Sequence, residues 1–445
     1  MYRKFAAGGS GTCPRNLGGY TMASLSRKIK RAQLRKTRRI SNTFTLDRSL
    51  QRFQSLGIGM GSALVLLTLP TSGAADAGFT QTVDGKTTTY NQTAPKVFNK
   101  VPTYNIGIDE THLYNQPGAS SIFVQRVMGG DYSSILGQLI ANGQVWVMNP
   151  GGVLIGSQAT VNTAGFMATS LVMGEDDFFA GRYILKQDGK DGFVINNGTI
   201  TVNNGGYAIL AGGSVVNNGY IQANMGEVVL ASGRTMTMDF AGDGLINFAV
   251  DEKLAAKITG PDGADMTSAV LNAGAIKADG GRVLLTGRAA ANILDSVVNN
   301  TGVIEAKSVV ERDGEIILTG GGEGVVVAGG TLDASSATGQ GGQVTVTGEY
   351  VAVTGTIDAS GATGGGTVLV GGDYQGKNPD VQNAKATYVG DDAIINANAT
   401  DSGDGGKVIV WSDERTGFFG KSLQGVVQYR VMADLSRHPA PAFCR

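Results

Sequence analysis

Cysteine is nearly missing from this 445-residue chain: Cys13 and Cys444 lie near its two ends, and the body between them has none. A disulfide framework across the body is therefore excluded. Histidine is equally scarce. His112 and His438 stand far apart and outside any metal-spacing motif, so no metal site is expected. No nucleophile-elbow phrase and no P-loop occurs, and neither a catalytic residue nor a cofactor is assigned. From about Gly189 onward no helical 3.6-residue apolar pattern persists. Glycine is what the chain has in quantity, 68 residues against 10 prolines. Without a strict triplet this is not collagen, and the regular Val/Ile/Leu runs exclude disorder.

Those runs repeat. One phrase is Asn-Asn-Gly followed by a β-branched pair, as in Asn196–Asn197–Gly198–Thr199–Ile200 and Asn217–Asn218–Gly219–Tyr220–Ile221. Looser copies begin at Asn272, Asn299, Gly330 and Gly355. A second phrase alternates with it: Gly, a polar residue, then an apolar triplet, as in Gly226–Glu227–Val228–Val229–Leu230 and Gly281–Arg282–Val283–Leu284–Leu285. Each phrase has strand length and is bounded by Gly/Asn turns, and the period of about 20–30 residues is that of a solenoid. The fold class is all-β: a right-handed parallel β-helix, its inward Val/Ile/Leu residues stacked into one core and its corner asparagines able to form amide ladders. The segment Thr235–Ser268 interrupts the repeats and reads as an excursion, with Leu254–Ala255–Ala256–Lys257 expected to be helical. A short helical turn is also expected within Gly129–Leu139.

The formal net charge of −1 hides a split. Residues 1–56 carry 13 Lys/Arg and one acid, Asp47, which leaves 23 basic and 36 acidic residues, a net of −13, for 57–445. The basic stretch leads into an apolar run, Leu56 to Leu69, too short to span a bilayer comfortably. Ala75–Asp76–Ala77 then places small residues at −3 and −1 of a cleavage before Gly78. Residues 1–77 are expected to be an extended signal peptide for export. No nucleic-acid partner is expected, because no aromatics interleave with the basic residues.

Two turn-rich phrases stand out in the body. Asn115–Gln116–Pro117–Gly118–Ala119–Ser120–Ser121 is one. The other is Asn149–Pro150–Gly151–Gly152, which joins the apolar runs Val145–Met148 and Val153–Ile155. Pro fixes φ and the glycines permit φ > 0, so the chain can reverse sharply there. Together with Gly137–Gln138–Leu139–Ile140–Ala141 between them, these phrases resemble the two signature motifs of the secretion domain in filamentous-haemagglutinin-type exoproteins, the secreted partners of two-partner secretion systems. The resemblance covers roughly Lys96 to Met173 and more loosely the repeats to about Gly420. The family usually has Asn-Pro-Asn-Gly; Gly151 stands in for the second Asn, and since Gly adopts αL readily the turn should survive.

The resemblance implies a division into a secretion domain at 78–190 that caps the solenoid, β-helix repeats at 191–420, and an atypical tail at 421–445 that reads as truncated or frameshifted. It also implies an adhesin-like exoprotein that passes through the periplasm, is recognised by an outer-membrane β-barrel transporter, and reaches the medium or surface of a Gram-negative cell. Surface glycans or receptors are its expected targets. Asn115, Gln116, Pro117, Asn149, Pro150, Gly151 and Gly152 would act by shaping turns. A body without cysteine suits a chain that threads an outer-membrane pore unfolded. Two other readings stay open. One is the delivery module of a contact-dependent toxin. The other is a β-helix polysaccharide-active enzyme, whose carboxylates would come from Asp251, Glu252, Asp262 and Asp265 or from Glu175–Asp176–Asp177. Gly320–Gly324 and Gly403–Gly406 resemble calcium-binding nonapeptides, but their Asp spacing is wrong.

Overall fold

The computed structural model describes residues 78–240, 247–290, 293–309 and 312–422, all within one compact unit, Thr68–Arg445. The signal-peptide reading with its cleavage residues Ala75 and Ala77, both cysteines, His438 and the tail beyond Ser422 lie outside the described residues.

The repeated phrases form short strands because β-branched residues at alternate positions fit a pleated surface and Gly/Asn corners end each run. They assemble into three long sheets, here called first, second and third, of 13, 11 and 10 strands among the described residues. All neighbours in them run parallel except one pair: the hairpin of Phe79–Asp84 with Thr87–Gln92, which ends the first sheet. The chain visits the sheets in fixed rotation. Val153–Ile155 belongs to the third, Thr160–Thr163 to the first and Gly165–Thr169 to the second, after which the cycle repeats. One turn advances 20 residues where nothing intervenes, as from Tyr207 to Glu227, and 55 where the chain makes an excursion, as from Glu227 to Arg282. This is a parallel β-helix. Its sheets cross residue 190 without a break, since Phe193–Asn196 pairs with Val153–Ile155.

Inward side chains stack coil on coil. In the second sheet Phe123, Val145, Phe166, Ala208, Val228 and Val283 stand in register and are fully buried. Burying each of the larger ones contributes roughly 1.5–3 kcal/mol. At the corner between the third and first sheets the Asn-Asn-Gly phrase builds the expected amide ladder. Nδ2 of Asn196 donates to Oδ1 of Asn217 (2.8 Å), Asn217 to Asn272 (2.7 Å) and Asn272 to Asn300 (2.7 Å), all four fully buried. The glycine that follows is required by space rather than by φ: a Cβ on Gly219 would overlap the carbonyl oxygen of Gly198 in the coil beneath.

Two expected helical turns are replaced. Within Gly129–Leu139 the chain forms strands Ser133–Ile135 and Gln138–Ala141, because pairing with Val153–Ile155 and Thr160–Thr163 outweighs local preference. Leu254 is fully buried and bridges Ala289 in extended backbone, so 254–257 is not helical. A helix does form at Glu175–Phe179, in a departure from the coil that the repeats do not announce. From it the chain continues into Tyr183–Lys186, which pairs antiparallel with Thr235–Asp239, and that strand with Asn247–Glu252. This small sheet contributes to a second apolar cluster outside the coil, separate from the core.

Candidate functional site

The second motif turns the chain from the second sheet into the third. Strand Gln144–Met148 ends at Asn149, which is fully buried. Its carbonyl accepts the Gly152 N–H at 2.9 Å, closing a four-residue turn with Pro150 at the second position, which suits proline's fixed φ. Its Oδ1 accepts the Gly151 N–H (2.9 Å), and its Nδ2 donates to the Asp131 carbonyl and to Ser133 Oγ (both 2.9 Å). Asn149 thus ties the corner to the coil before it.

Gly152 has φ +119°, the left-handed region expected of it. Gly151 does not have positive φ, and the reason offered for it from sequence needs correcting. A Cβ there would lie 2.8 Å from the Asp131 carbonyl carbon and 2.9 Å from the oxygens of Asp131 and Gly130. Close backbone approach is what requires glycine. The family's usual Asn would displace Gly130–Asp131.

The first motif lies at the corner from the first sheet to the second. Asn115 ends strand Thr111–Asn115, is exposed, and donates to Asn91 Oδ1 (2.9 Å). Gln116 turns inward. Its Nε2 lies within hydrogen-bond distance of Gln92 Oε1 (2.9 Å) and the carbonyls of Ser121 (3.1 Å) and Gln144 (3.2 Å). Its backbone N–H and carbonyl are both held by the side chain of Asn142, at 2.7 and 2.8 Å. Asn142 stands two residues before the second motif's strand, so this clasp joins the two motifs. Pro117 is exposed. From sequence, the stretch beginning at Asn142 stands out but Asn142 itself has no assigned role, and Asp131–Ser133 falls in an expected helical turn rather than in a support for Asn149.

The coil interior beside the first motif is polar. Tyr104 and Tyr114 share a hydrogen bond (2.7 Å) and Gln125 Nε2 donates to Tyr114 (3.0 Å). Burial pushes the Tyr90 hydroxyl up to about 12. His112 is a core residue here, edge-on to Tyr90 and Tyr104, with a buried Nδ1 that has no partner; burial pulls it down to about 4. Gly78 is the first described residue, and its carbonyl accepts from Thr93 at 2.8 Å.

The acids considered for catalysis do not meet as one cluster of free groups. Glu175 pairs with Lys100 and Asp177 with Arg182; Asp251 and Glu252 accept from Thr237 and Thr235; Asp262 caps the Ala264 N–H; and Asp265 faces Lys257 at 3.6 Å. Among the described residues no group of three or more His, Cys, Asp or Glu could hold a metal.

A parallel β-helix with both corner motifs in its first coils defines an exoprotein of the two-partner type. The TPS secretion domain family model matches residues 67–334, more than half of the chain, and the chain belongs to that family. The heme/hemopexin-binding protein of Haemophilus influenzae is 32% identical over 295 residues, 58% of this chain and 30% of that one. The same protein from strain Rd is 33% identical over 244 residues, 53% of this chain and 25% of that one. The chain thus spans less than a third of the length of the curated relatives it matches. The crystal structure of the HMW1 secretion domain from Haemophilus influenzae superimposes with a TM-score of 0.66 at 28% identity, covering 77% of this chain and 95% of that one. The protein is a two-partner secretion exoprotein, a secreted protein of the Gram-negative type.

Proposed function

We propose that this chain is the leading part of a surface-exposed adhesin-like exoprotein. Its N-terminal domain is recognised by a periplasmic face of the partner β-barrel, and its β-helix folds as it emerges. The observation that carries this reading is the pair of corner motifs, Asn115–Gln116–Pro117 and Asn149–Pro150–Gly151–Gly152, joined by Asn142 in neighbouring coils. Residues 1–77 serve as the signal peptide, cut before Gly78; N-terminal sequencing of the exported chain tests that. Recognition by strand addition suits a chain presented in extended form.

A second reading for the extracellular role, heme or hemopexin capture, draws on the relatives that share 32–33% identity. Glycan adhesion and hemopexin binding are separated by comparing whole-cell adherence with a hemopexin pull-down.

The test of the export role is secretion with and without the neighbouring-gene barrel, for the chain as it stands and for Asn149→Ala combined with Pro150→Ala. Export that needs both the barrel and the motif supports the proposal. Export indifferent to both overturns it and returns the polysaccharide-active reading to the bench.

A further inference from the structure

Outside the coil, the second sheet presents large apolar side chains where a solenoid ordinarily meets water. Val124, Trp146, Met167, Ile209 and Val229 stand in register on successive coils and are all fully buried. An outward column is dry only if something lies on it. The cover comes from helix Glu175–Phe179 and the antiparallel sheet of Tyr183–Lys186, Thr235–Asp239 and Asn247–Glu252. Phe178 and Tyr183 meet the Trp146 ring edge-on at 5.7 and 5.4 Å, and Phe240 stacks on it at 6.0 Å. Leu185, Met236 and Met238 fill the remainder.

Polar clasps hold the cover down. Lys96, on the outermost strand of the second sheet, donates to the Phe178 carbonyl (3.2 Å) and the Tyr183 hydroxyl (3.0 Å). Lys100 pairs with Glu175, Arg126 with Asp188, and Arg234 bidentately with Asp191.

The consequence is visible in the strands. Ile122–Val127 buries all six side chains, on both faces. Glu315–Thr319, farther along the same sheet, buries only alternate ones. The late strands Gln343–Thr347, Thr367–Val370 and Lys407–Val410 also bury outward residues, among them Leu369 and Ile409, but none of these belongs to the cluster around Trp146 that the helix and small sheet cover.

We infer that the segments 171–190, 233–240 and 247–252 are a strap. Its docking commits the N-terminal coils to their folded state and leaves the outer face of the strand that carries the second motif open until then. Met148 precedes Glu252 by 104 residues, so a chain made and exported from its N-terminus presents Trp146 and Met148 well before their cover exists. The consequence for export rests on the two-partner reading; the strap itself does not.

Hydrogen exchange on the full chain tests it. Met236→Asp puts a charge into the dry cluster. Amides of 96–101, 122–127 and 144–148 should then exchange about tenfold faster or more, while 343–347, 367–370 and 407–410 keep their protection. Unchanged protection at 122–148 overturns the strap. If Met236→Asp unfolds every strand, Arg234→Ala, which removes only the clasp on Asp191, decides by the same readout: loosening confined to the early coils supports the strap, and none or uniform loosening overturns it. The variant is also exported with and without the barrel. Barrel-independent export of both chains would defeat the two-partner reading and leave the exchange result standing.

Discussion

The side-chain amide of Asn217 donates to that of Asn272 at 2.7 Å although 55 residues separate them. Each amide-to-amide bond of the ladder joins one coil to the next, so the ladder specifies register as well as stability. Asn217→Leu would leave the Asn196 donor and the Asn272 acceptor facing an apolar side chain. Two buried unsatisfied groups at about 1–3 kcal/mol each predict a loss of about 2–6 kcal/mol. Replacing Asn196, Asn217, Asn272 and Asn300 together with Leu or Val should recover part of that, because no orphaned side-chain amide remains and only the Gly198 N–H loses its Asn196 acceptor. The denaturation midpoint checks both variants; a quadruple variant worse than the single one would contradict the account.

The motif residues separate stability from recognition. Asn149 makes one side-chain bond to its own turn and two to the preceding coil in a dry site, so Asn149→Ala should lower stability by roughly 2–4 kcal/mol. Asn115 is exposed with one surface bond to Asn91, so Asn115→Ala should stay within about 0.5 kcal/mol. If the partner reads the first motif directly, Asn115→Ala still reduces export. Thermal unfolding beside a secretion assay checks this, and wild-type export of Asn115→Ala would confine that residue to the fold.

Gly151→Asn restores the family's usual residue and is nonetheless expected to cost stability. The added Cβ meets the Asp131 carbonyl at 2.8 Å, and overpacking of this kind costs about 1–3 kcal/mol. A melting temperature equal to or above that of the unaltered chain would mean that Gly130–Asp131 yields freely.

The coil was legible because its requirements are local and repeated. Gly226–Glu227–Val228–Val229–Leu230 reads as a strand and forms Glu227–Ser232, since a glycine corner and a β-branched run need no distant partner to be recognised. Asn149 was legible for the same reason: Asn, Pro and Gly announce a turn by their own chemistry. What the sequence hides is set by tertiary docking. Nothing near Trp146 indicates that Phe178, Tyr183 and Phe240 will cover it. Helix Glu175–Phe179 has five residues, too few for a helical period to register. Gln116 looks like a surface turn residue, yet it faces inward because Gln92 in the neighbouring coil offers it an acceptor.

His112 occupies an inward position directly beneath Leu139, between Thr88 and that leucine in the register of the first sheet. Tyr90 and Tyr104 meet it edge-on and Glu110 is the nearby charge, while no group accepts from or donates to its Nδ1. Burial lowers its pKa from the ordinary 6.5 to about 4, so the folded chain favours the neutral ring. Above pH 6.5 the group is neutral in both states and costs nothing. As pH falls through 6.5 the unfolded chain takes up a proton that the folded one refuses, and stability drops until about pH 4, where the loss levels off. The whole step is on the order of 3 kcal/mol. His112→Leu, which continues the Leu139 column, should be less acid-sensitive by that amount across the window while matching or exceeding the unaltered chain at pH 5. Denaturation midpoints at pH 7.5, 5.5 and 4 for both chains measure the difference. Parallel curves would show that the other carboxylates, and not this ring, set the acid limit of the N-terminal coil.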